Sequence, residues 1–219
     1  MILALDTVFD QCSIALLDKD SLLDEMTETG NRLQTQKILP MINTLLSKHD
    51  KKISDLTAIA FNRGPGAFSG IRINTAVAQA LAFAHDLPCL PVSSLQALAQ
   101  QAFIHEGLSH VYAVLDARMD EVYFGEFCEK DNIMQLINTE KLLSYGEKTD
   151  KNLPLVGNGA TLLTANAQLC LENLQPTATT IGLLGLELLN NGKSVTAENA
   201  LPVYLRHNAW KTLAEQGKK

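Results

Sequence analysis

A glycine-rich segment at residues 62–73 has the composition of an anion-binding loop. It reads Asn-Arg-Gly-Pro-Gly-Ala-Phe-Ser-Gly-Ile-Arg-Ile, after an apolar run at 56–61 and leading into an alanine-rich run at 71–84. The first run is typical of a buried strand and the second of a helix. A loop between them can bring backbone N–H groups to the positive end of the helix, where a phosphate can bind. Loops of this composition also simply connect elements, and the residue types alone favour that role.

Arg63, Gly64, Gly66 and Gly70 would carry either role of this loop. Glycine tolerates positive φ and lets backbones approach closely, so it suits both a phosphate cradle and a tight helix–strand contact. A Cβ at a glycine with positive φ costs about 1–2 kcal/mol. We predict that the glycines serve conformation and packing more than phosphate binding, with at most a weak phosphate contact. Ser69 is the predicted N-cap of the helix.

Asp6 and Asp116 each end an apolar run and are the candidates for a magnesium site. Paired carboxylates at strand ends suit a hard cation. The turn after Asp6 reads Thr-Val-Phe-Asp, and its apolar side chains and second carboxylate are poorly suited to wrapping a phosphate. A turn-forming role for Asp6 is therefore the favoured interpretation.

The pattern of apolar residues predicts an α/β protein that contains a repeated strand-Asp-turn-strand-strand unit. The predicted strands of the two units are 2–5, 13–17 and 21–27, and then 111–115, 121–127 and 133–138. Further strands are predicted at 56–61, 89–92 and 153–156. Helices are predicted at 33–48, 71–84, 160–172 and 181–190, and another that begins at Ser93 or Ser94. We place the boundary between an N-terminal lobe, 1–106, and a C-terminal lobe, 107–219, near Gly107.

The composition excludes several classes of protein. A chain of 219 residues with 46% apolar residues has ample core for a globular fold. The net charge of −6 argues against a self-sufficient nucleic-acid binder, which would have a basic face. The start at Met1 shows no leader pattern, and the longest apolar run, 76–84, is too short to span a bilayer. We therefore expect a cytoplasmic protein with no membrane association and reduced cysteines.

Short segments spread along nearly the whole chain form a family pattern. They are 1–7, 12–17, 34–40, 63–66, 70–73, 92–95, 116–123 and 202–206. In that order and spacing they resemble the bacterial TsaB (YeaZ) family, the non-catalytic paralogue of TsaD in the tRNA threonylcarbamoyladenosine system.

The resemblance implies a two-lobed fold of the actin-like ATPase superfamily, which includes hexokinase and Hsp70, without a complete active site. It implies a subunit that binds and activates TsaD, which transfers threonylcarbamoyl to N6 of the adenosine next to the anticodon. It further implies a ternary complex with TsaE, contact with tRNA only through the complex, and a possible homodimer. ATP or ADP and metal would belong to the partner subunits, leaving this chain no intrinsic cofactor.

The resemblance also places Ser94 and Leu98 at the positions of the His-x-x-x-His metal pair of TsaD. A serine hydroxyl is a poor ligand for a transition metal, and leucine is none. The five histidines of this chain include no pair at helical i,i+4 spacing. We predict that the chain has no catalytic residue and no bound metal.

The helix predicted at 71–84 is apolar nearly all the way round and must be covered on both sides. The helix at 33–48 could cover the second side, and physical reasoning leaves that alternative open. The resemblance favours a partner, because the family pairs with TsaD through these helices. We predict one surface for TsaD or a second copy, with Ala78 or Ala82 facing outward. The residues assigned to it are Ile71, Ile73, Thr75, Ala78, Ala82, Ile38 and Ile42.

The alternative function is a small sugar-kinase-like or hydrolytic enzyme that uses Asp6, Asp116 and the glycine loop. ATP hydrolysis by the purified chain alone would favour the enzyme. Support of tRNA modification only when TsaD is present would favour the subunit.

Overall fold

The computed structural model describes residues 1–9, 11–19, 21–30, 33–164 and 169–206. Within these ranges the chain forms two mixed β-sheets, each covered by helices. The α/β fold class predicted from the sequence is confirmed.

The first sheet has the strand order β3-β2-β1-β4-β5. Its first three strands form an antiparallel meander, and the last two run parallel to β1. The central strands are apolar on both faces, as expected for strands buried between layers of helices. The strands are β1 (Ile2–Asp6), β2 (Gln11–Asp18), β3 (Ser21–Thr29), β4 (Ala58–Asn62) and β5 (Cys89–Val92).

The second sheet repeats this plan in the order β8-β7-β6-β10-β11, with a short extra strand, β9, that also pairs with β7. Again an antiparallel meander is extended by parallel strands next to its first member. The internal duplication predicted from the two strand-Asp-turn-strand-strand units is therefore confirmed. The strands are β6 (His110–Arg118), β7 (Glu121–Lys130), β8 (Ile133–Leu136), β9 (Lys141–Ser144), β10 (Leu155–Val156) and β11 (Cys170–Leu171).

In the described part of the chain four α-helices cover the sheets, and two of them lie on the sheet of the other half of the chain. Helices α1 and α2 pack on one face of the first sheet, and α4 packs on its opposite face. Helix α3, which precedes Gly107, packs against the second sheet. No helix within the described ranges is long and apolar enough to cross a bilayer. The helices are α1 (Gln34–Lys48), α2 (Phe68–His85), α3 (Ser94–Glu106) and α4 (Ala178–Asn190).

The helix predicted at 160–172 is wrong. The described part of this segment contains a single 3₁₀ turn, Ala160–Leu162, and the strand β11. Its apolar side chains pack on the second sheet together with Tyr112 and Val114. Strand β11 pairs with β10, so this segment extends the sheet, which a local helical pattern could not reveal.

Candidate functional site at the cleft between the sheets

The glycine loop joins the end of β4 to the start of α2, and the buried side chain of Asn62 holds it in place. The Asn62 amide donates to Asp6 Oδ1 at 3.2 Å. Its oxygen accepts from the Gly64 N–H at 3.0 Å and from Ser94 Oγ at 2.6 Å. Asn74 adds an anchor, because its amide donates to the carbonyls of Leu5 and Asn62. The loop is thus tied to β1, α2 and α3 at once.

Two of the loop's glycines are required by close approach rather than by backbone conformation. A Cβ at Gly66 would lie 2.4 Å from Val8 Cγ1, and one at Gly70 would lie 2.2 Å from the carbonyl oxygen of Thr7. Of Gly64, Gly66 and Gly70, Gly64 alone has a positive φ, +94°. These contacts support a conformational role for the glycines. A phosphate contact by the loop or by Arg63 stays a prediction.

Helix α2 begins one residue before the predicted cap. Ala67 occupies the N-cap position and makes no side-chain capping bond, so the expectation that Ser69 caps the helix is wrong. Ser69 instead lies in the first turn and is exposed. By contrast, α3 begins as predicted, since Ser93 Oγ accepts from the N–H groups of Leu95 and Gln96 at 3.1 and 3.3 Å.

Asp6 ends β1 and is completely buried. Its Oδ1 accepts from the Val8 N–H at 2.8 Å, which forms the turn expected for this residue, while Oδ2 has no partner within the described structure. Burial raises the pKa of Asp6 to about 7, and the bonds from Val8 and Asn62 oppose this effect. Asp10, the second carboxylate of the segment considered for phosphate binding, lies outside the described residues.

Replacing Asp6 by asparagine is expected to stabilise the protein, and more strongly at about pH 8 than at about pH 4.5. The pKa of Asp6 is about 7 in the folded chain against the ordinary value of 3.8 for an aspartate in water, so the unfolded chain loses this proton first. The stability of the natural chain therefore falls as pH rises from about 4 to about 7. Above that range the buried carboxylate costs on the order of 4 kcal/mol, which asparagine avoids while keeping the bond from Val8.

Urea unfolding of both proteins at the two pH values measures the effect. Asp86→Asn, at an exposed position, is the matched control and is expected to show no such dependence. Equal stability of Asp6→Asn and the natural chain at the higher pH would contradict the burial argument.

Asp116 occupies the position in the second sheet that corresponds to Asp6 in the first. Its Oδ1 accepts from the N–H of Arg118, two residues on, at 2.8 Å, as Asp6 does from Val8. The same oxygen accepts from Tyr145 Oη at 2.7 Å, and Oδ2 pairs with Arg118 Nη1 at 2.8 Å. The prediction that the two aspartates lie at equivalent strand ends is confirmed. Both oxygens of Asp116 are engaged within the protein, and Asp6 is buried.

A cavity of about 520 Å³ lies between the two sheets. Val8, Gly66 and the first turn of α2 line one side, and Leu115 to Arg118 line the other, so Asp116 borders the cavity. The segment that follows α4 also lines the cavity through Val203, Tyr204 and Arg206. The Val203 N–H donates to the Arg63 carbonyl at 2.9 Å and so fixes this segment beside the glycine loop.

Arg206 ties the segment that follows α4 to the turn between β6 and β7. Its guanidinium donates to Glu121 at 2.9 Å and to the carbonyls of Ala117 and Arg118 at 3.2 and 3.0 Å. Three consecutive residues of this β6–β7 turn, Arg118 to Asp120, have positive φ, so the bonds from Arg206 fall on a strained turn.

Most residues that face this cavity carry no signal in the amino-acid sequence that would place them there. Phe68, Arg72 and Tyr204 meet here, although Arg72 and Tyr204 lie 132 positions apart in the chain. Tyr204 and Arg206 belong to the segment 202–206, which is part of the family pattern. Nothing in the sequence indicates that this segment lies near α2.

The outward surface of α2 differs from the one predicted. Ala78 and Ala82 are 0% and 1% exposed, so the expectation that one of them faces outward is wrong. They pack in the same core as Ile38 and Ile42 of α1, and Ile71 and Thr75 are buried too. Ile73 is partly buried against that core.

Ala76, Ala80 and Phe83 form the exposed face of α2, which we call the α2 outer face. They recur at helical spacing, and Phe83 is 72% exposed. On α1, Leu39 is 53% exposed and lies beside a groove that Leu81 of α2 also lines. An apolar surface therefore exists on these two helices, with a different set of residues from those predicted.

Known proteins with similar sequences indicate the family to which this fold and site belong. A family model described as "TsaD: tRNA N6-adenosine threonylcarbamoyltransferase" matches residues 26–157. The "tRNA threonylcarbamoyladenosine biosynthesis protein TsaB" of Escherichia coli K12 is 37% identical, with 97% of each chain covered. The protein of the same name from Haemophilus influenzae Rd is 34% identical, with 97% of this chain and 96% of its own covered.

The chain belongs to the TsaB family. The structure of YeaZ from Pseudomonas aeruginosa is similar, with a TM-score of 0.87 and 38% identity over 93% of this chain and 99% of its own. The two-lobed actin-like fold implied by the family pattern is confirmed.

In this TsaB-family chain, buried side chains stand at the two positions that the resemblance places at the TsaD metal pair. Ser94 is 0% exposed and its hydroxyl donates to Asn62 Oδ1. Leu98 is also 0% exposed and packs in the core between α3 and the second sheet. Within the described ranges, no group of three histidine, cysteine or acidic side chains has the arrangement of a metal site.

Proposed function

We propose that this chain is the non-catalytic subunit that binds and activates TsaD in tRNA threonylcarbamoyladenosine biosynthesis. TsaD would transfer the threonylcarbamoyl group to N6 of the adenosine next to the anticodon. The observation that carries this proposal is the occupation of positions 94 and 98 by Ser94 and Leu98, both buried, in a chain of the TsaB family. A transition metal has no suitable ligand at either position.

The partner surface is the second element of the proposal. Helices α1 and α2 lie side by side on the first sheet and present the α2 outer face and Leu39 to solvent. Small side chains at Ala76 and Ala80 permit close approach of a partner helix, and Phe83 supplies apolar area. A paralogue of the same fold would present related helices, so one surface can hold either TsaD or a second copy of this chain.

The remaining components follow from this role. TsaE would join the pair in a ternary complex, ATP or ADP and the metal would be bound by the partner subunits, and tRNA would be contacted through the complex. The net charge of −6 supports the assignment of tRNA binding to the complex rather than to this chain alone. The chain would act in the cytoplasm, where tRNA is modified.

Reconstitution tests the proposal. The purified chain alone is expected to hydrolyse no ATP above a buffer control. Added to TsaD, TsaE, ATP, tRNA and a source of threonylcarbamoyl-adenylate, it is expected to raise tRNA modification at least about tenfold over the mixture without it. ATP hydrolysis by this chain alone, or equal modification with and without it, would contradict the proposal.

A further inference from the structure

We propose that Arg63 and Glu140 form a latch, an ion pair that closes between the two halves of the chain. The chain passes from the first sheet to the second through residues 92–94, between β5 and α3, which we call the link. Arg63 follows β4 of the first sheet and Glu140 follows β8 of the second, so the latch would join the two halves beside the link. In the described ranges Arg63 forms no ion pair, so the structure shows the latch open.

Two consecutive serines of the link bond to opposite halves of the chain. The Ser94 N–H donates to the Gly64 carbonyl at 3.0 Å, and its hydroxyl donates to Asn62 Oδ1 at 2.6 Å. Ser93 Oγ donates instead to Glu140 Oε1. The position of the Glu140 carboxyl therefore acts directly on the link.

Arg63 lies next to Ser93 at the ends of two parallel strands. Asn62 of β4 is paired with Val92 of β5, and the Arg63 N–H donates to the Val92 carbonyl at 2.8 Å. The Nε of Arg63 is buried and has no hydrogen-bond partner in the described part of the chain. A buried donor without a partner is unfavourable, most of all in a charged group. An acceptor that reaches this guanidinium would therefore lower the free energy of the folded chain.

Glu140 can supply that acceptor. Its side chain is half-buried and its Oε1 accepts from Ser93, which leaves Oε2 for a guanidinium. Of the charged side chains in the described ranges, Arg63 is the one that acts on this carboxyl. A carboxylate and an arginine form charge-assisted, paired hydrogen bonds, which are stronger than bonds between neutral groups.

The latch depends on the charge of Glu140. Burial raises the pKa of Glu140, and the Ser93 hydroxyl and the charge of Arg63 oppose this effect. Direct contact with Arg63 would favour the carboxylate further, so the pKa of Glu140 is lower with the latch closed than with it open. Raising the pH therefore closes the latch, and protonation of Glu140 opens it. A closed latch would hold the glycine loop against the segment between β8 and β9 and make the link more rigid.

NMR titration of the Glu140 carboxyl tests the latch in the full chain without TsaD, so the outcome does not depend on the proposed function. In Arg63→Gln the affinity of Glu140 for a proton is expected to rise at least about tenfold over the natural chain, because the closed ion pair is lost. Arg72→Gln, the same change at an exposed arginine of α2, is the control and is expected to leave this affinity unchanged. A smaller rise in Arg63→Gln would be that of two separated charges and would overturn the proposal.

Hydrogen exchange at the link provides a second readout. Glu140→Gln keeps an acceptor for Ser93 but removes the charge. At about pH 8 the Ser94 N–H is expected to exchange at least about tenfold faster in Glu140→Gln than in the natural chain, since the latch no longer restrains the link. At about pH 4, where Glu140 of the natural chain is protonated, the two proteins are expected to exchange at equal rates.

The exchange measurement on Glu140→Gln stands even if Arg63→Gln does not fold, and thermal unfolding checks each variant. The double variant is expected to exchange no faster than Glu140→Gln alone, because the two residues belong to one contact. Equal exchange of the Ser94 N–H in Glu140→Gln and the natural chain at about pH 8, or an equal acceleration at both pH values, would overturn the latch.

Discussion

Ala80→Glu and Phe83→Glu are expected to remove binding to TsaD and to leave the chain folded. Both side chains belong to the α2 outer face, and Phe83 is 72% exposed. In the free chain the new carboxylate would remain in water, so the free energy of unfolding should change by no more than about 0.5 kcal/mol. In the complex the same carboxylate would be buried without a counterion, which typically costs several kcal/mol and corresponds to a loss of affinity of at least about 100-fold.

The affinity for TsaD is measured by titration calorimetry, and the fold is checked by circular dichroism. Ile104→Glu on α3 makes the same change of an exposed apolar side chain at a distant helix, and it is expected to bind normally. Normal binding by both α2 variants would place the TsaD interface elsewhere on the chain.

Ala78→Glu provides a contrast on the same helix. Ala78 is 0% exposed and packs against the first sheet, so a glutamate there would be buried in the free chain. Loss of TsaD binding by this variant would reflect unfolding, whereas loss in the outer-face variants would reflect the interface itself.

Gly70→Ala is expected to destabilise the chain by at least about 3 kcal/mol. The added Cβ would lie 2.2 Å from the carbonyl oxygen of Thr7 and 3.1 Å from Val8 Cα, and both atoms belong to the backbone. Relief requires α2 to move away from the end of β1, which would break the bond from Thr7 Oγ1 to the Gly70 carbonyl, 2.8 Å long. For a chain of this length the effect corresponds to a fall in melting temperature of about 6–12 °C.

Thermal and urea unfolding measure this loss. Ser69→Ala, one position earlier on the same helix turn, is the control and is expected to cost little, because Ser69 is exposed. Gly66→Val should also lower stability, by less than Gly70→Ala, since the obstacle is the Val8 side chain, which can move. A Gly70→Ala protein as stable as the natural chain would show that close approach is not the reason for glycine there.

The sequence predicted the two sheets better than it predicted the site. Apolar runs that end at Asp6 and Asp116 contain the signal for the central strands, because both faces of these strands are buried. The orientation of α2 had no such signal, since a helix that is apolar nearly all round has no distinct face in its periodicity. The cavity depended on contacts between distant segments, such as Arg72 with Tyr204, which local patterns do not contain.

The resemblance to the TsaB family supplied part of the information on the site that local sequence patterns lack. It marked the segment at 202–206 and positions 94 and 98 as informative. It could not say that Ser94 would donate to Asn62 and so tie α3 to the glycine loop. That detail depends on how β4, α2 and α3 meet in three dimensions.

The exchange of helices between the two halves has a consequence for how the molecule comes apart. Helix α4 covers the first sheet although it follows the second in the chain, and α3 covers the second although it precedes it. Removing the helix that covers either sheet would expose apolar side chains on the helix and on the sheet. Neither lobe is therefore a self-contained folding unit. A relative rotation of the two sheets would move α3 away from α4 and break the hydrogen bond from Thr180 Oγ1 to Gln101 Oε1, so we expect the two lobes to open in one cooperative step.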